Sequence, residues 1–132
     1  MPTVTLLKSK IHRATVTQAD VHYIGSLTLD EDLMDAAGLI PYERIEVSDI
    51  SNGERLSTYV IAGPRGSGVI CMNGAAALKI GAGDLIIIFA YTDMTAEEAR
   101  RHKPRLVFVD EKNAITEIRD VELYAHTAPS TS

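Results

Sequence analysis

Gly25 and Ser26, at the end of the run His22-Tyr23-Ile24-Gly25-Ser26, form the pair with the most distinctive chemistry in the chain. A serine hydroxyl placed directly after a glycine can attack the preceding carbonyl and convert the peptide bond into an ester. Glycine suits the acyl side because it carries no side chain to block the attack and tolerates unusual dihedrals. β-Elimination from that ester would free the Gly25 carboxylate and leave dehydroalanine at position 26. Hydrolysis would then release ammonia and leave a pyruvoyl group. Such an α-keto amide condenses with a substrate amine and withdraws electrons, so a chain cut in this way supplies its own cofactor. Taken alone, Gly-Ser is a common turn sequence, and the rest of the chain has to decide between the two readings.

Other residues could serve such a site. Lys8-Ser9-Lys10-Ile11-His12-Arg13 concentrates bases in an otherwise acidic chain, either a solvated face or a local anion site. Lys10 and His12 lie two apart and share one side of a strand. Arg55 carries a guanidinium that can grip both oxygens of a carboxylate, although an arginine after a turn is more often simply solvated. Thr58 offers a hydroxyl to an oxyanion, and Tyr59 offers a phenol. On a regular strand these two point to opposite faces, so one site using both needs a local twist or a contribution across a subunit boundary. Asn73-Gly74-Ala75-Ala76 joins an amide side chain to three small residues that would let backbone amides approach closely.

Several alternatives are weaker. Gly63-Pro64-Arg65-Gly66-Ser67-Gly68 lacks the spacing of a phosphate-binding loop and of a nucleophile elbow, and Ser67 with His102 makes an unsupported hydrolase pair. Four histidines and one cysteine form no recognisable metal-ligand set. Cys71, within Gly68-Val69-Ile70-Cys71-Met72, reads as a small buried hydrophobe.

The elements that must position these residues are mostly strands. The 132 residues fit one compact domain, and a 45% apolar share suffices for a core. A net charge of -5 argues against a nucleic-acid backbone binder. No signal peptide or membrane-length apolar run is visible, so the expected location is the cytoplasm. Strands are expected over residues 3–8, 14–18, 26–29, 44–50, 54–61, 69–72, 85–91, 106–109 and 113–118. Ile45, Val47 and Ile50 are expected on one side of the fourth. Asn52-Gly53 marks a hairpin turn. Asp30 should cap a helix over 31–37 that Gly38 stops, and Thr95 with Glu98 should box a helix over 96–102. Leu85–Tyr91 reads as a central strand. Many short strands with two short helices predict a mainly β fold, a small closed or nearly closed barrel. Residues 1–118 would form this single domain, and 119–132 a C-terminal extension expected to be disordered toward its end.

Five blocks then resemble one family: Lys10–Ala14, Ala19–Ser26, Asp35–Gly38, Asn52–Tyr59 and Asn73–Ala77. In this order they are similar to the pyruvoyl-dependent aspartate 1-decarboxylases, which make β-alanine for pantothenate and coenzyme A synthesis. The similarity runs from about Leu6 to about Arg105. It implies a double-psi β-barrel, a homotetramer with active sites at subunit interfaces, and self-cleavage into residues 1–25 and 26–132. It implies a covalent pyruvoyl cofactor made from Ser26 and L-aspartate as substrate.

The resemblance also implies roles. Thr58 polarises the Gly25 carbonyl during cleavage. Arg55, Lys10 and His12 bind substrate carboxylates. Asn73, Gly74, Ala75 and Ala76 surround the pyruvoyl region, Tyr59 donates a proton to the decarboxylated substrate, and Tyr23 packs on the substrate or positions the cleaved end. One departure is visible: Ile24 stands where some bacterial members have glutamate. Some members mature with an accessory protein, and a maturation partner is left open here. A non-catalytic small-barrel binding or regulatory protein remains the alternative, since it would account for the strands and the acidic surface.

Overall fold

The structure is a computed structural model that describes residues 2–122. The expected disorder of the C-terminal extension falls mainly on residues 123–132, outside the described residues. Nine strands, two short helices and one 3₁₀ turn make up the described chain, a mostly β architecture. The strands form one mixed sheet in the order β2-β6-β3-β5-β4-β7-β1-β8-β9.

The first strand, β1 (Thr3–Thr15), is a single 13-residue element. The sequence reads as two segments here because the pairing register shifts between Leu7 and Ser9 and again between Ile11 and Ala14. Such bulges break the alternation that marks a strand. β1 still runs antiparallel to β7 (Leu85–Thr95) along its whole length, from Thr3 opposite Thr95 to Thr15 opposite Leu85. β7 sits inside the sheet between β1 and β4 (Arg44–Asp49), as its apolar run suggests. Ile86, Ile88 and Ala90 are buried on one face, and Leu85, Ile87 and Phe89 are half-buried on the other.

A short β2 (Gln18–Asp20) follows, then β3 (Ser26–Asp30). Asp30 caps α1 (Glu31–Ala37) with its carboxylate on the Asp32 amide at 2.8 Å, and Gly38 ends the helix in the left-handed conformation at φ 71°. The same buried carboxylate accepts the Gly66 amide at 3.1 Å and the Gly68 amide at 2.8 Å. The glycine-rich loop therefore folds around an internal anion, which explains its composition without a bound phosphate.

β4 and β5 (Arg55–Gly63) form the hairpin signalled by Asn52-Gly53, with Ser48 opposite Arg55. The Asp49 carboxylate holds its turn by accepting the amides of Ser51 and Asn52. Ile45 and Val47 enter the core as expected, but Ile50 lies beyond the strand end and is exposed. β6 (Ile70–Asn73) is wholly buried between β2 and β3, and it leads into the 3₁₀ turn Gly74–Leu78. The Thr95–Glu98 capping box is present, yet α2 spans only Ala96–Ala99. His102 beyond it is held by a hydrogen bond between Nε2 and the Leu7 carbonyl oxygen. β8 (Arg105–Val109) pairs parallel with β1, and β9 (Ile115–Arg119) closes the edge. The core joins side chains from α1 and most strands, led by Ile11, Leu27, Leu29, Met34, Ile70 and Ile88.

Candidate active site

Ser26 opens β3 directly opposite Asn73, the last residue of β6, and Thr28 lies opposite Cys71 in the same antiparallel ladder. Residues two apart share a face of a strand, so Ser26, Thr28, Cys71 and Asn73 form a square on one face. Ser26 and Asn73 are each 2% exposed. The Asn73 side-chain amide donates to Ser26 Oγ at 3.1 Å and to Thr28 Oγ1 at 2.9 Å. Its Oδ1 accepts from the Cys71 thiol at 3.1 Å. Burial, with a smaller contribution from the Asp20 charge, pushes the Cys71 thiol pKa up, so the thiol remains a donor.

Gly25 is held from the other side. Gly74 has φ 69°, and a β-carbon there would lie 2.8 Å from Gly25 Cα, 3.0 Å from Gly25 N and 3.2 Å from the Tyr23 oxygen. Only a residue without a side chain allows this approach. A β-carbon on Gly25 itself would meet nothing within 4 Å. Packing within the chain thus requires glycine at 74 but not at 25.

A cleft of about 320 Å³ opens at this point, lined by Gly25, Ser26, Leu56, Ser57, Thr58, Asn73, Ala75, Ala76 and Lys79. Thr58 arrives through β5, which runs parallel to β3 with Val60 beside Leu27. Counting back two residues sets Thr58 level with Gly25. Of the residues expected at the cleavage site, Gly25, Ser26, Thr58, Asn73, Gly74, Ala75 and Ala76 therefore converge. Tyr23 does not join them: it is 55% exposed and lines a second groove with Asp20, Pro64, Cys71 and Asn73, on the far side of the Asn73 amide.

The remaining expected residues gather elsewhere. Lys10 pairs with Phe89 across β1 and β7, and its ammonium sits 5.9 Å from the Phe89 ring centroid. The Arg55 guanidinium lies at the same distance from that ring. Both cations lie near one aromatic ring, an attractive arrangement. Lys10 also meets Glu122 at 3.1 Å, whereas Arg55 makes no ion pair with a described residue. His12, two residues along from Lys10, packs edge-on to Phe108, and its Nδ1 is buried without a partner. Burial first, then Lys10 and Arg13, lower its pKa against an opposing pull from Glu122. Tyr59 packs against Tyr42 with the rings tilted by 35° and their centroids 6.1 Å apart. Arg55, Ser57 and Tyr59 alternate along β5 with Leu56 and Thr58. Ser57 also lines the Ser26 cleft, but the Arg55 and Tyr59 side chains stand on the side of the strand opposite Leu56 and Thr58.

The family model "Aspartate decarboxylase" matches residues 2–116. The chain belongs to the aspartate decarboxylase family. It is 58% identical over 113 residues to an aspartate 1-decarboxylase of Ruminiclostridium cellulolyticum, covering 86% of this chain and 88% of that protein. The Syntrophus aciditrophicus aspartate 1-decarboxylase is 61% identical over 110 residues, with 83% and 95% covered. That of Pelotomaculum thermopropionicum is 52% identical over 128 residues, with 97% of each chain covered.

Against this aspartate decarboxylase background, sequence reasoning missed Thr28, Lys79 and the polar role of Cys71. Thr28 and Cys71 were accessible through strand periodicity, two residues after Ser26 and two before Asn73. Lys79 carried no such signal, since the 3₁₀ turn places it. Ile24 is 81% exposed. Among the described residues no helix is long and apolar enough to cross a membrane.

Proposed function

We propose that this chain is an L-aspartate 1-decarboxylase that cuts itself between Gly25 and Ser26 and uses the resulting pyruvoyl group to release carbon dioxide and β-alanine for coenzyme A synthesis. The observation that carries this reading is the buried Ser26 hydroxyl, held by the Asn73 amide at the mouth of a cleft beside Gly25, in a chain of this family.

Cleavage begins when Ser26 Oγ bonds to the Gly25 carbonyl carbon. The carbon–nitrogen bond then breaks, and the hydroxyl proton passes to the Ser26 nitrogen. Asn73 Nδ2 donates to the attacking Ser26 Oγ and so leaves the hydroxyl proton free to depart, and Thr58 lies level with the Gly25 carbonyl, whose oxygen takes up the negative charge of the attack. Gly74 lets the Gly25 backbone approach, and a larger residue there would hold it away. The surroundings of Ser26 also fit the product group, because Asn73, Ala75 and Ala76 leave an open cleft with an amide donor at its floor. The pyruvoyl carbonyl supplies an electron sink for an amine-bearing acid.

The rest of the reaction falls to side chains on the cationic face. Arg55 would grip a substrate carboxylate by both oxygens, and Lys10 and His12 would add positive potential and a polar contact. Tyr59 would deliver the proton that replaces carbon dioxide. Because Arg55 and Tyr59 stand on the side of β5 opposite Leu56 and Thr58, and Lys10 of β1 shares the Phe89 ring with Arg55, one copy's cationic face would complete another copy's cleft, in a homotetramer. The double-psi barrel implied by the resemblance is the proposed connectivity; parallel pairing of β1 with β8, β2 with β6 and β3 with β5 supports it.

Two measurements test the reading. Intact mass under denaturing conditions should show fragments 1–25 and 26–132, and Ser26→Ala should remain whole and inactive. Ser26→Ala and Arg55→Ala chains, each inactive alone, should regain activity when co-expressed, because some sites would combine an intact cleft with an intact arginine. Wild-type protein that decarboxylates aspartate with Ser26 unmodified would overturn the self-processing reading. Absence of complementation in verified mixed oligomers would overturn the shared site.

A further inference from the structure

Self-cleavage depends on which end of the Asn73 side chain faces Ser26. With Nδ2 toward Ser26 Oγ, a donor stabilises the charge left on that oxygen as its proton departs and leaves the proton free to go, before attack passes the charge to the Gly25 carbonyl oxygen. With Oδ1 there instead, an acceptor would meet that oxygen, and the hydroxyl proton would be tied to it. A carboxamide has the same shape either way round, so neighbouring groups must select the end.

Two neighbours lie where selection is possible. Thr28 Oγ1 is 2.9 Å from Asn73 Nδ2, so the two hydrogens of the NH₂ group meet two hydroxyl oxygens, those of Ser26 and Thr28. Cys71 Sγ is 3.1 Å from Oδ1 and donates to it. Burial keeps that thiol protonated. Rotating the amide would set NH₂ against a sulfur that accepts poorly and would force both hydroxyl protons onto Oδ1. Asn73 is 2% exposed and Cys71 8%, so an unmatched hydrogen is not readily restored by water. The register makes this selection possible: Thr28 is opposite Cys71 as Ser26 is opposite Asn73.

We propose that Thr28 and Cys71 are positioning residues for self-processing, a three-point clamp with Ser26 that holds the Asn73 carboxamide with its NH₂ group on the Ser26 oxygen. The inference rests on the self-cleavage reading above. It concerns the precursor, before the bond is cut.

The test uses uncut protein collected early in expression and followed by intact mass at fixed temperature. Thr28→Val keeps the shape and removes the accepting oxygen; it should slow cleavage about three- to tenfold, the span of one ordinary hydrogen bond. Thr28→Ser should restore the wild-type rate. Cys71→Ala should slow cleavage by less, and Cys71→Ser, which keeps a donor, should not. A merely structural role would lower the melting temperature in step with the rate and would not distinguish Val from Ser. A second readout is independent of processing. In the Ser26→Ala background, the two Asn73 side-chain amide protons should exchange with solvent faster after Thr28→Val. Wild-type cleavage rates in both Thr28→Val and Cys71→Ala would overturn the clamp while leaving self-cleavage standing. Unchanged amide exchange would overturn it even if the rate fell. Failure of the wild-type chain to be cut at Gly25-Ser26 would instead sink the self-cleavage reading.

Discussion

Replacing Gly74 with alanine puts the cleavage geometry to the most direct test. The new β-carbon would stand 2.8 Å from Gly25 Cα, 3.0 Å from Gly25 N and 3.2 Å from the Tyr23 oxygen. Nonbonded carbons rest at about 3.5–4.0 Å, so Gly25 must retreat by roughly 0.7 Å. All three obstructing atoms are backbone, and no rotamer change relieves the contact. The φ of 69° at position 74 adds about 1–2 kcal/mol for any residue with a β-carbon. Which side yields follows from burial. β6 is buried along its whole length, whereas Tyr23 and Ile24 are 55% and 81% exposed. The exposed segment moves, and the contact is converted into displacement of the scissile bond.

Gly74→Ala should therefore lose only about 1–2 kcal/mol of stability, its backbone term. Cleavage should slow about 10²-fold, the usual cost of a misplacement approaching 1 Å. Intact mass would follow loss of the 14.3 kDa precursor. Thermal unfolding would be compared between Ser26→Ala and Ser26→Ala/Gly74→Ala, so that neither sample is processed. A Gly74→Ala chain that folds and is cut within about threefold of the wild-type rate would refute the argument. A loss of stability well beyond the backbone term would show that β6, rather than the loop, gives way.

Three other outcomes are expected. Tyr59→Phe should still be cut but should release β-alanine about 10²–10⁴-fold more slowly; wild-type turnover with wild-type stereospecific deuterium uptake at the former α-carbon would remove Tyr59 as donor. Asp49→Asn should flatten the fall in stability with rising pH. Burial first, and then the Asp84 side chain, raise the Asp49 pKa; stability from Asp49 is therefore lost as pH rises through its folded pKa, and asparagine does not titrate. A melting temperature with the same pH dependence in Asp49→Asn would refute the assignment. His12 should make stability fall on acidification: its folded pKa is depressed, so its contribution is full above about pH 6.5 and declines as pH drops toward the folded value. Urea titrations from pH 7.5 to 5 should show a shallower decline in His12→Gln, and an identical slope would reject the assignment.

The parts of the fold legible in the sequence were those fixed by local chemistry. Asp30 and Gly38 bound α1 because a carboxylate and a left-handed glycine each do one job at a helix end. The uninterrupted apolar run of β7 marked an interior strand for the same kind of reason. β1 read as two strands because bulges at Leu7/Ser9 and Ile11/Ala14 shift which residues face the core, and only the pairing with β7 carries the strand across them. Parallel pairing, such as Leu27 beside Val60, leaves no local mark, since its partners are more than thirty residues apart.

The cleavage cluster was legible as separate short blocks, and its assembly required the ladder between β3 and β6. Alternation at Thr58 and Tyr59 already forced them onto opposite faces of a strand. β5 keeps that alternation: Leu56 and Thr58 reach the Ser26 cleft, while Arg55 and Tyr59 belong to the face with Phe89 and Tyr42. No rotamer change brings the Arg55 guanidinium through a sheet to the same side as Ser26. If Arg55 and Ser26 act on one aspartate, two chains must meet there. A monomeric variant would then still cut its own Gly25-Ser26 bond, because Asn73, Thr58 and Gly74 come from the same chain, yet it would turn over no aspartate. Separating processing from turnover by oligomeric state alone is the sharpest consequence of the two-faced strand. A processed monomer with full decarboxylase activity would overturn it.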